Sequence, residues 1–512
     1  VNSIMKKIFS ENPELRKEVK KILEIVNQKI KEFENLEIEK IKKIAEDLGI
    51  TIEEKSEEYK WPELEVKGNF ITAFPPEPSK YPHIGHAKAA YVNYYYAKKY
   101  NGIFILRFED SNPKKVKKEY YNAFREDLKW LGIEWQKEDI LSLHIEEFYD
   151  AAKELILKDK AYVCFCPKEK IKEYRREGIE CEHRNMSIEK SLKYFEEMIS
   201  GLIEEGKAHL RAKIDMKSKN YTLRDPTLMR IINKEHPITG EKYKVWPTYD
   251  FGTAFLDAIE KVTHRFRSKE FEMRTELQNW IREALGYKEH PKIYEIGRLQ
   301  IKGFITSGRK IRELMEIGKV KDWGDIRLAT IRALRKRGFL PKAILEFLYY
   351  TGLSKSEGKI EVETLEAINR KHLDPIANRY MFVENPKYLK VINAKGKFAK
   401  IKFHPNFPER GEREILVKGD LFISERDFNS LNVGDEVRLI DLYNIKIIDK
   451  DENSITAEFL DEELKKEIRK IHWVSMHDDF VKVKVLKAEG ENIIEINGYG
   501  ESYLKYLNIG ER

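Results

Sequence analysis

Cysteine is almost missing from this sequence. Only three occur among 512 residues, all between Cys164 and Cys181. An odd, clustered set excludes a disulfide framework and points to a reducing compartment or a bound metal. Long apolar runs are missing as well. No segment approaches the roughly 18 apolar residues of a membrane-spanning helix, and Val1–Ser10 lacks the apolar stretch of a secretory signal. The expectation is a cytoplasmic protein with no membrane partner. Neither sign of charge dominates, since 95 Lys and Arg stand against 88 Asp and Glu for a net charge of +7. That balance suits a nucleic-acid partner without demanding one. Internal repeats and low-complexity stretches are absent.

The residues that are present describe a charge-rich folded chain, too long for a single core. From Asn2 to about Glu58, Leu15, Val19, Ile22, Val26 and Ile30 recur at helical spacing, which predicts a helical appendage. The pattern changes at Trp61. Asn69–Phe74 reads as a strand that Pro75-Pro76-Glu77-Pro78 cannot continue. A helix follows from about Gly85 to Lys99, then a buried strand at Ile103–Phe108, then a helix carrying Tyr120, Phe124, Leu128 and Leu131. Strand, helix, strand, helix begins a parallel α/β sheet. Residues from about Ala161 to Lys244 break the rhythm as an insertion, and Val245–Leu256 resumes an apolar pattern. Asp325–Tyr350 reads as helical and basic. From about Lys387 the chain turns to strands, among them Asp435–Ile448 and the alternating Val481, Val483 and Val485, a half-buried strand pattern. The whole predicts an α/β multidomain protein ending in an antiparallel barrel region.

The sharpest local signal is His83-Ile84-Gly85-His86, placed after a strand and a proline-rich loop and opening a helix. A helix N-terminus offers N–H groups and a positive dipole end to phosphate. Imidazoles at i and i+3 share a face and can donate as charge develops on phosphate oxygens. Gly85 permits a close approach to the backbone. A second constellation is Cys164-x-Cys166 with Cys181-x-His183. Three thiolates and an imidazole suit tetrahedral Zn²⁺ in a closed, structural site that ties down a small insertion with little core of its own.

Phe74-Pro75-Pro76-Glu77-Pro78-Ser79, His83-Ile84-Gly85-His86-Ala87-Lys88-Ala89 and Leu106-Arg107-Phe108-Glu109-Asp110 resemble the signature of the glutamyl- and glutaminyl-tRNA synthetases. Arg224-Asp225-Pro226-Thr227, Val245-Trp246-Pro247-Thr248-Tyr249-Asp250-Phe251, Thr263-His264 with Arg267, and Asp374-Pro375-Ile376-Ala377-Asn378-Arg379-Tyr380 extend the resemblance over most of the chain from about residue 65. It is nearest to the archaeal-type glutamyl members. It implies a Rossmann-type class I catalytic domain, ATP with Mg²⁺, glutamate, and tRNA(Glu) or also tRNA(Gln) as partners. The reaction it implies runs through an aminoacyl adenylate, with the acyl group then passed to the terminal ribose of tRNA. The implied ATP-binding residues are Pro76, Glu77, His83, Gly85, His86 and Ser307. The implied amino-acid residues are Thr72, Glu109 for the α-amine, Tyr249 for the side-chain pocket, and Arg267.

Family members also carry a mobile basic loop, which here reads Ile305-Thr306-Ser307-Gly308-Arg309-Lys310. In one register Gly308 replaces the critical lysine. In the other Lys310 is that lysine, with Arg309 beside it, and this register is preferred because a cation is chemically required there. Leu353-Ser354-Lys355-Ser356 resembles the loop but lies in the helical region. Three further positions depart from the family: Ala73 replaces an arginine, Lys80 a glycine and Pro82 a leucine. These departures favour a non-catalytic tRNA-binding paralogue as one alternative, and a glutaminyl enzyme is the other. The implied divisions are 1–60, a helical appendage; 61–160, the first catalytic half; 161–244, an acceptor-end insertion with the zinc site; 245–322, the second catalytic half; 323–385, a helical bridge; and 386–512, a β-barrel anticodon-binding region. Arg332, Arg335, Lys336 and Arg337 are candidate contacts to the tRNA backbone.

Overall fold

The computed structural model describes Met5, Ile8, Phe9 and residues 12–34, then 61–306, 308–356, 358–465 and 467–512. The chain falls into two compact units, Val1–Lys60 and Trp61–Arg512. In the first, a 3₁₀ turn at Pro13–Glu18 leads into α1 (Val19–Glu34). Of the predicted helical stripe, Val26 is buried and Val19 is exposed. The side chain of Ile30 and all of 35–60 lie outside the described residues.

The second unit opens with the predicted α/β pattern. Strands β1 (Ile71–Phe74), β2 (Ile103–Phe108) and β3 (Lys137–Ile140) alternate with α2 (Ile84–Lys99), α3 (Lys118–Trp130) and α4 (Ile145–Leu157). Strands β8 (His264–Ser268) and β9 (Lys292–Ile296) complete a sheet of order β3-β2-β1-β8-β9. All its pairings are parallel. The chain winds outward from β1 to β3 and then restarts on the other side at β8. The strand order therefore reverses between β1 and β8, and ligands of such sheets bind at the carboxyl ends of the strands beside that reversal.

Between the halves lies an antiparallel sheet of β4 (Ala161–Cys164), β5 (His209–Ala212), β6 (Thr227–Ile231) and β7 (Val245–Pro247), with α5 (Lys168–Glu177) and α6 (Ile188–Ser200) between β4 and β5. Because β7 pairs with β6, the sheet runs past the division expected at residue 244. The insertion is also richer in core than its sequence suggested. Val163, Phe195, Met198, Leu210, Met229 and Trp246 are buried together with Phe148 of α4 and Phe251 of α7 (Tyr249–Ile259). After α8 (Thr275–Ala284), β10 (Leu299–Lys302) and α9 (Gly308–Glu316), the region read as helical at 325–350 holds two helices, α10 (Ile331–Lys336) and α11 (Pro341–Tyr350). Gly338 takes φ +91 between them and Pro341 opens the second, so the break is built from a left-handed glycine and a proline at a helix start. Before α10, Asp325 folds back onto the amide and guanidinium of Arg327, which ends regular structure there.

The C-terminal strands form a seven-stranded sheet whose edges are β20 (Arg469–Ile471) and β21 (Val474–Ser475). Only His472 and Trp473 separate these edge strands in sequence, so the sheet curls into a half-barrel whose two edges come near each other. Trp473 between them is buried, its indole N–H donating to the Ile440 carbonyl at 2.8 Å. The sheet is antiparallel except for the pairs made by β13 (Lys387–Ile392) with β19 (Ser454–Asp461) and by β17 (Glu436–Leu439) with β20. The hairpin of β22 (Val481–Glu489) and β23 (Asn492–Gly500) is less covered than its valine alternation predicts. Val485 is 37% exposed, because β12 (Phe382–Glu384) pairs only with the base of the hairpin.

The base of that hairpin is held by a buried ion pair. Glu501, just past β23, accepts two hydrogen bonds from Arg413, one of them 2.6 Å from Nη2, and takes the Met381 amide at 2.6 Å. Both charged residues are almost fully buried. Replacing Glu501 by alanine strands a buried guanidinium, which costs about 3–5 kcal/mol. Calorimetry of Glu501→Ala is expected to show the unfolding transition of the C-terminal region displaced downward by several degrees. An unchanged thermogram would mean that the pair carries no stability.

Candidate active site

The carboxyl ends of β1, β2 and β8 lead directly to the residues singled out by sequence. Beyond β1, the Pro76 carbonyl accepts the Glu109 amide at 3.0 Å, tying the loop to the end of β2. The Pro82 carbonyl accepts the Ile331 amide, and the Ile84 amide donates to the Ala329 carbonyl, both at 3.0 Å. The loop before α2 is thus clamped to the entry of α10. Glu77 is exposed and accepts the Ser79 hydroxyl at 2.8 Å.

At the start of α2 the two imidazoles do the capping. His83 Nδ1 accepts the Gly85 amide at 3.0 Å, and His86 Nδ1 accepts the His83 amide at 3.2 Å. The rings stack at 3.9 Å. A Cβ on Gly85 would sit 2.9 Å from the His83 ring, so glycine is required by the cap itself. The sequence suggested that free N–H groups of the first turn would meet phosphate. Those of Ile84 and Gly85 are instead consumed by Ala329 and His83. What the arrangement presents is different. Each Nδ1 is an acceptor, so in a neutral ring the proton sits on Nε2, and each histidine becomes a fixed N–H donor. Burial, reinforced by Lys80, lowers the pKa of His83 to about 3. Burial, with His83 and Lys80, lowers His86 well below the usual histidine range. Both rings are therefore neutral donors at physiological pH.

Glu109 stands at the end of β2 on a buried ionic lattice. Arg107 bonds Glu109 Oε1 at 3.0 Å, Asp257 at 3.0 Å and Glu260 at 2.6 Å. Asp257 also takes Arg265 at 2.8 Å and Arg282 at 3.1 Å. Thr253 donates to the same Oε1 of Glu109 at 2.8 Å. Oε2 accepts no bond from the described residues. Burial pushes the Glu109 pKa up, while Arg107 and Arg265 pull against it. Neighbouring Asp110 is fully committed to the fold, taking the Ser142 amide and hydroxyl and the Tyr121 hydroxyl at 2.7–2.8 Å. Of the two acids in the motif, Glu109 is the one with an oxygen to offer.

Arg267, at the end of β8, is held by Gln278 at 2.8 Å and by the Phe271 carbonyl at 3.0 Å. Tyr249 is half-buried against Phe271 at 5.0 Å, and Arg265, Glu109, Arg267 and Asp250 are charged groups acting on it. Glu109, Tyr249 and Arg267 are therefore brought together. Thr72 is not. It is fully buried, and its hydroxyl donates to the Asn93 carbonyl on α2 at 3.2 Å. It joins strand to helix instead of lining the cleft. Ala73 packs on the opposite side, against Ile105 and Val262, so the place of the expected arginine is apolar.

Sequence reading missed Asp257, Glu260, Arg265 and Arg282. The signal was available as acids within the otherwise apolar α7 and its end, and as an arginine in a buried strand. Nothing in one sequence paired them.

In the basic loop, Ser307 and the side chain of Arg309 lie outside the described residues. Lys310 does not stand alone as a cation, since it pairs with Glu491 at the turn of the β22–β23 hairpin. Lys355 of the look-alike segment is bound by Glu272 and Glu295, each at 3.0 Å. In α10, Arg332 lies over Tyr81, Arg335 over Trp130 and Arg337 over Phe304, with Arg337 also bonded to Glu366 at 3.0 Å. Arg337 is 17% exposed, with much of its guanidinium engaged in packing and in the bond to Glu366.

The ligand atoms of Cys164, Cys166, Cys181 and His183 lie within 4.8 Å of one another. Cys164 and Cys181 sulfurs are 3.8 Å apart, and Cys166 Sγ is 3.6 Å from His183 Nδ1. A tetrahedral zinc with bonds of about 2.3 Å to sulfur and 2.0 Å to nitrogen has edges of about 3.8 and 3.5 Å. The donor set thus fits the ion in both chemistry and dimensions. A hydrogen bond from Cys164, then Arg211 and Tyr162, holds the Cys181 thiol down at about 4.

A five-stranded parallel sheet, a histidine pair capping the helix after its first strand, and a carboxylate at the end of the next strand define a nucleotide-dependent class I synthetase. The profile described as tRNA synthetases class I (E and Q), catalytic domain, matches residues 69–375, and that of the anti-codon binding domain matches 377–463. The chain belongs to this family. It is 38% identical to the glutamate–tRNA ligase of Korarchaeum cryptofilum over 99% of this chain and 91% of the relative. It is 40% identical to that of Sulfolobus acidocaldarius over 100% and 91%, and 40% identical to that of Thermococcus kodakarensis over 98% and 89%. No helix among the described residues is long and apolar enough to cross a membrane.

Two measurements follow. Cys181→Ser is expected to lower bound zinc from about one equivalent to under a tenth, with faster amide exchange confined to residues 164–183. Retention of the full equivalent would dismiss the site. For His83, the unfolded ring titrates near 6.5 and the folded ring near 3. Its contribution to stability is therefore complete above pH 6.5 and is lost as pH falls toward 3. Its ring proton resonances should stay fixed between pH 5 and 8, and a midpoint inside that range would contradict the neutral-donor assignment.

Proposed function

We propose that this chain ligates glutamate to tRNA(Glu) through a glutamyl adenylate, releasing diphosphate and AMP. The observation that carries the reading is the joint presence, beside the β1–β8 reversal, of two neutral Nε2–H donors and a carboxylate with one oxygen uncommitted. Names of the full-length relatives support glutamate as the amino acid over glutamine.

In this reading ATP, with Mg²⁺, lies against the start of α2. His83 and His86 donate to its phosphate oxygens, and the rigid cap fixes their aim before the nucleotide arrives. Glu109 Oε2 receives the α-ammonium of glutamate, while Tyr249 and Arg267 border the amino acid. A carboxylate oxygen of glutamate attacks the α-phosphorus, and the bond from that phosphorus to the β-bridging oxygen breaks. No protein nucleophile is needed, so positioning and charge stabilisation account for the catalysis. The insertion between β3 and β8 would receive the acceptor end of the tRNA, and the C-terminal barrel its anticodon. Zinc, held by Cys164, Cys166, Cys181 and His183, would supply structure alone. A cytoplasmic site of action accords with the reduced thiols.

Charging of total tRNA with labelled glutamate and, separately, glutamine tests the proposal. Glutamate incorporation is expected; glutamine incorporation would reassign the substrate, and neither would leave a binding paralogue. Glu109→Gln should lower kcat/KM for glutamate about 100-fold by removing a charge-assisted bond, with KM for ATP little changed. Equal losses for ATP and glutamate would mean that Glu109 only supports the fold.

A further inference from the structure

The loop between β1 and α2 carries a lysine, Lys80, that the reaction described above does not use. Its side chain runs over the first residue of α9. A Cβ built on Gly308 would lie 3.2 Å from Lys80 Cδ and 3.5 Å from Nζ. Lys80 occupies the space that a side chain at 308 would fill. Lys80 is a charge departure seen in the sequence, and Gly308 stands where one register of the basic loop would place a lysine.

The surroundings of Lys80 describe an anion site. It makes no hydrogen bond or ion pair with any described residue. Burial lowers its pKa, and the cations Arg312, Arg298 and Lys115 lower it further, with Glu77 alone opposing them. Lys80 is also a charged neighbour of both His83 and His86. A half-buried ammonium among cations, beside two fixed N–H donors, suits a multiply charged oxyanion of the size of a polyphosphate. Lys310, the alternative cation, is already paired with Glu491.

We propose that Lys80 binds the β- and γ-phosphates of ATP and stabilises the departing diphosphate, serving as the cation beside Gly308. The inference rests on the ATP-dependent reading. As the glutamate oxygen bonds to the α-phosphorus, the electron pair of the breaking bond arrives on the diphosphate oxygen, and the Lys80 ammonium is the charge that meets it.

The test compares Lys80→Met, Gly308→Lys and the double variant Lys80→Gly/Gly308→Lys with the full chain, in tRNA-dependent pyrophosphate exchange. Melting temperature and tRNA affinity are followed in parallel. Lys80→Met is expected to lose about 10²–10³-fold in kcat/KM for ATP, with melting and tRNA affinity unchanged. The double variant should recover at least about a tenth of wild-type kcat/KM, because a cation returns beside the same position. Gly308→Lys alone should fall below wild type, since its side chain crowds the end of Lys80. Activity of Lys80→Met within about threefold of wild type would overturn the proposal. So would a double variant that melts like wild type yet recovers nothing. Should Lys80→Met itself melt early, the double variant decides by the same criterion. Failure of the parent reading appears separately, as wild-type protein that exchanges no pyrophosphate with glutamate. In that event, calorimetric titration of ATP into wild type and Lys80→Met still judges Lys80, since equal affinities would refute it and a tenfold or larger loss would support it.

Discussion

The cleft depends on a lattice of charge buried beneath it. Arg107, Arg265 and Arg282 face Glu109, Asp257 and Glu260 with almost no exposure to solvent. Each guanidinium is compensated, and the loss of any one partner would leave its counterpart desolvated. The lattice spans β2, α7, β8 and α8, which are far apart in sequence. It therefore sets the two halves of the parallel sheet against each other and aims Glu109 upward from them. The insertion can be long because the halves it separates are locked together from below.

Legibility varied with the range of the interaction. The elements β1, α2, β2 and α3 could be read directly, since each has its own period and the strand–loop–helix signal is local. The Cys₃His group was legible because ligand spacing is local too. Thr72 was misread. Its motif is adjacent to the cleft, but strand pleating turns the side chain toward α2, and a one-residue alternation decides burial or exposure. The region read as helical at 325–350 starts only at Ile331 and is divided at Gly338 and Pro341, both visible in the sequence. The ionic lattice could not be read at all, because its members meet only after the sheet has formed.

The insertion and the barrel solve the same problem in different ways. The insertion shares its core with α4 and α7, so it is welded to the catalytic sheet over a broad apolar contact. The C-terminal sheet curls so that its edge strands β20 and β21 lie two residues apart, and its hairpin reaches back through Glu491 to Lys310 and Arg327. One module is joined by apolar area and the other in part by ionic and polar contacts, which are more sensitive to salt.

The histidine cap at α2 has a consequence for how this protein can change over time. Ordinarily the residue that starts a helix and the residue that handles a substrate are different, and each can drift while the other is held. Here they coincide, and Gly85 is bound into the same arrangement by the contact of its missing side chain with the His83 ring. A substitution at any of the three would unravel the first turn and blunt the chemistry in one stroke. The segment is consequently frozen by two pressures at once. Innovation must enter from its flanks, where the Lys80 side chain lies against Gly308.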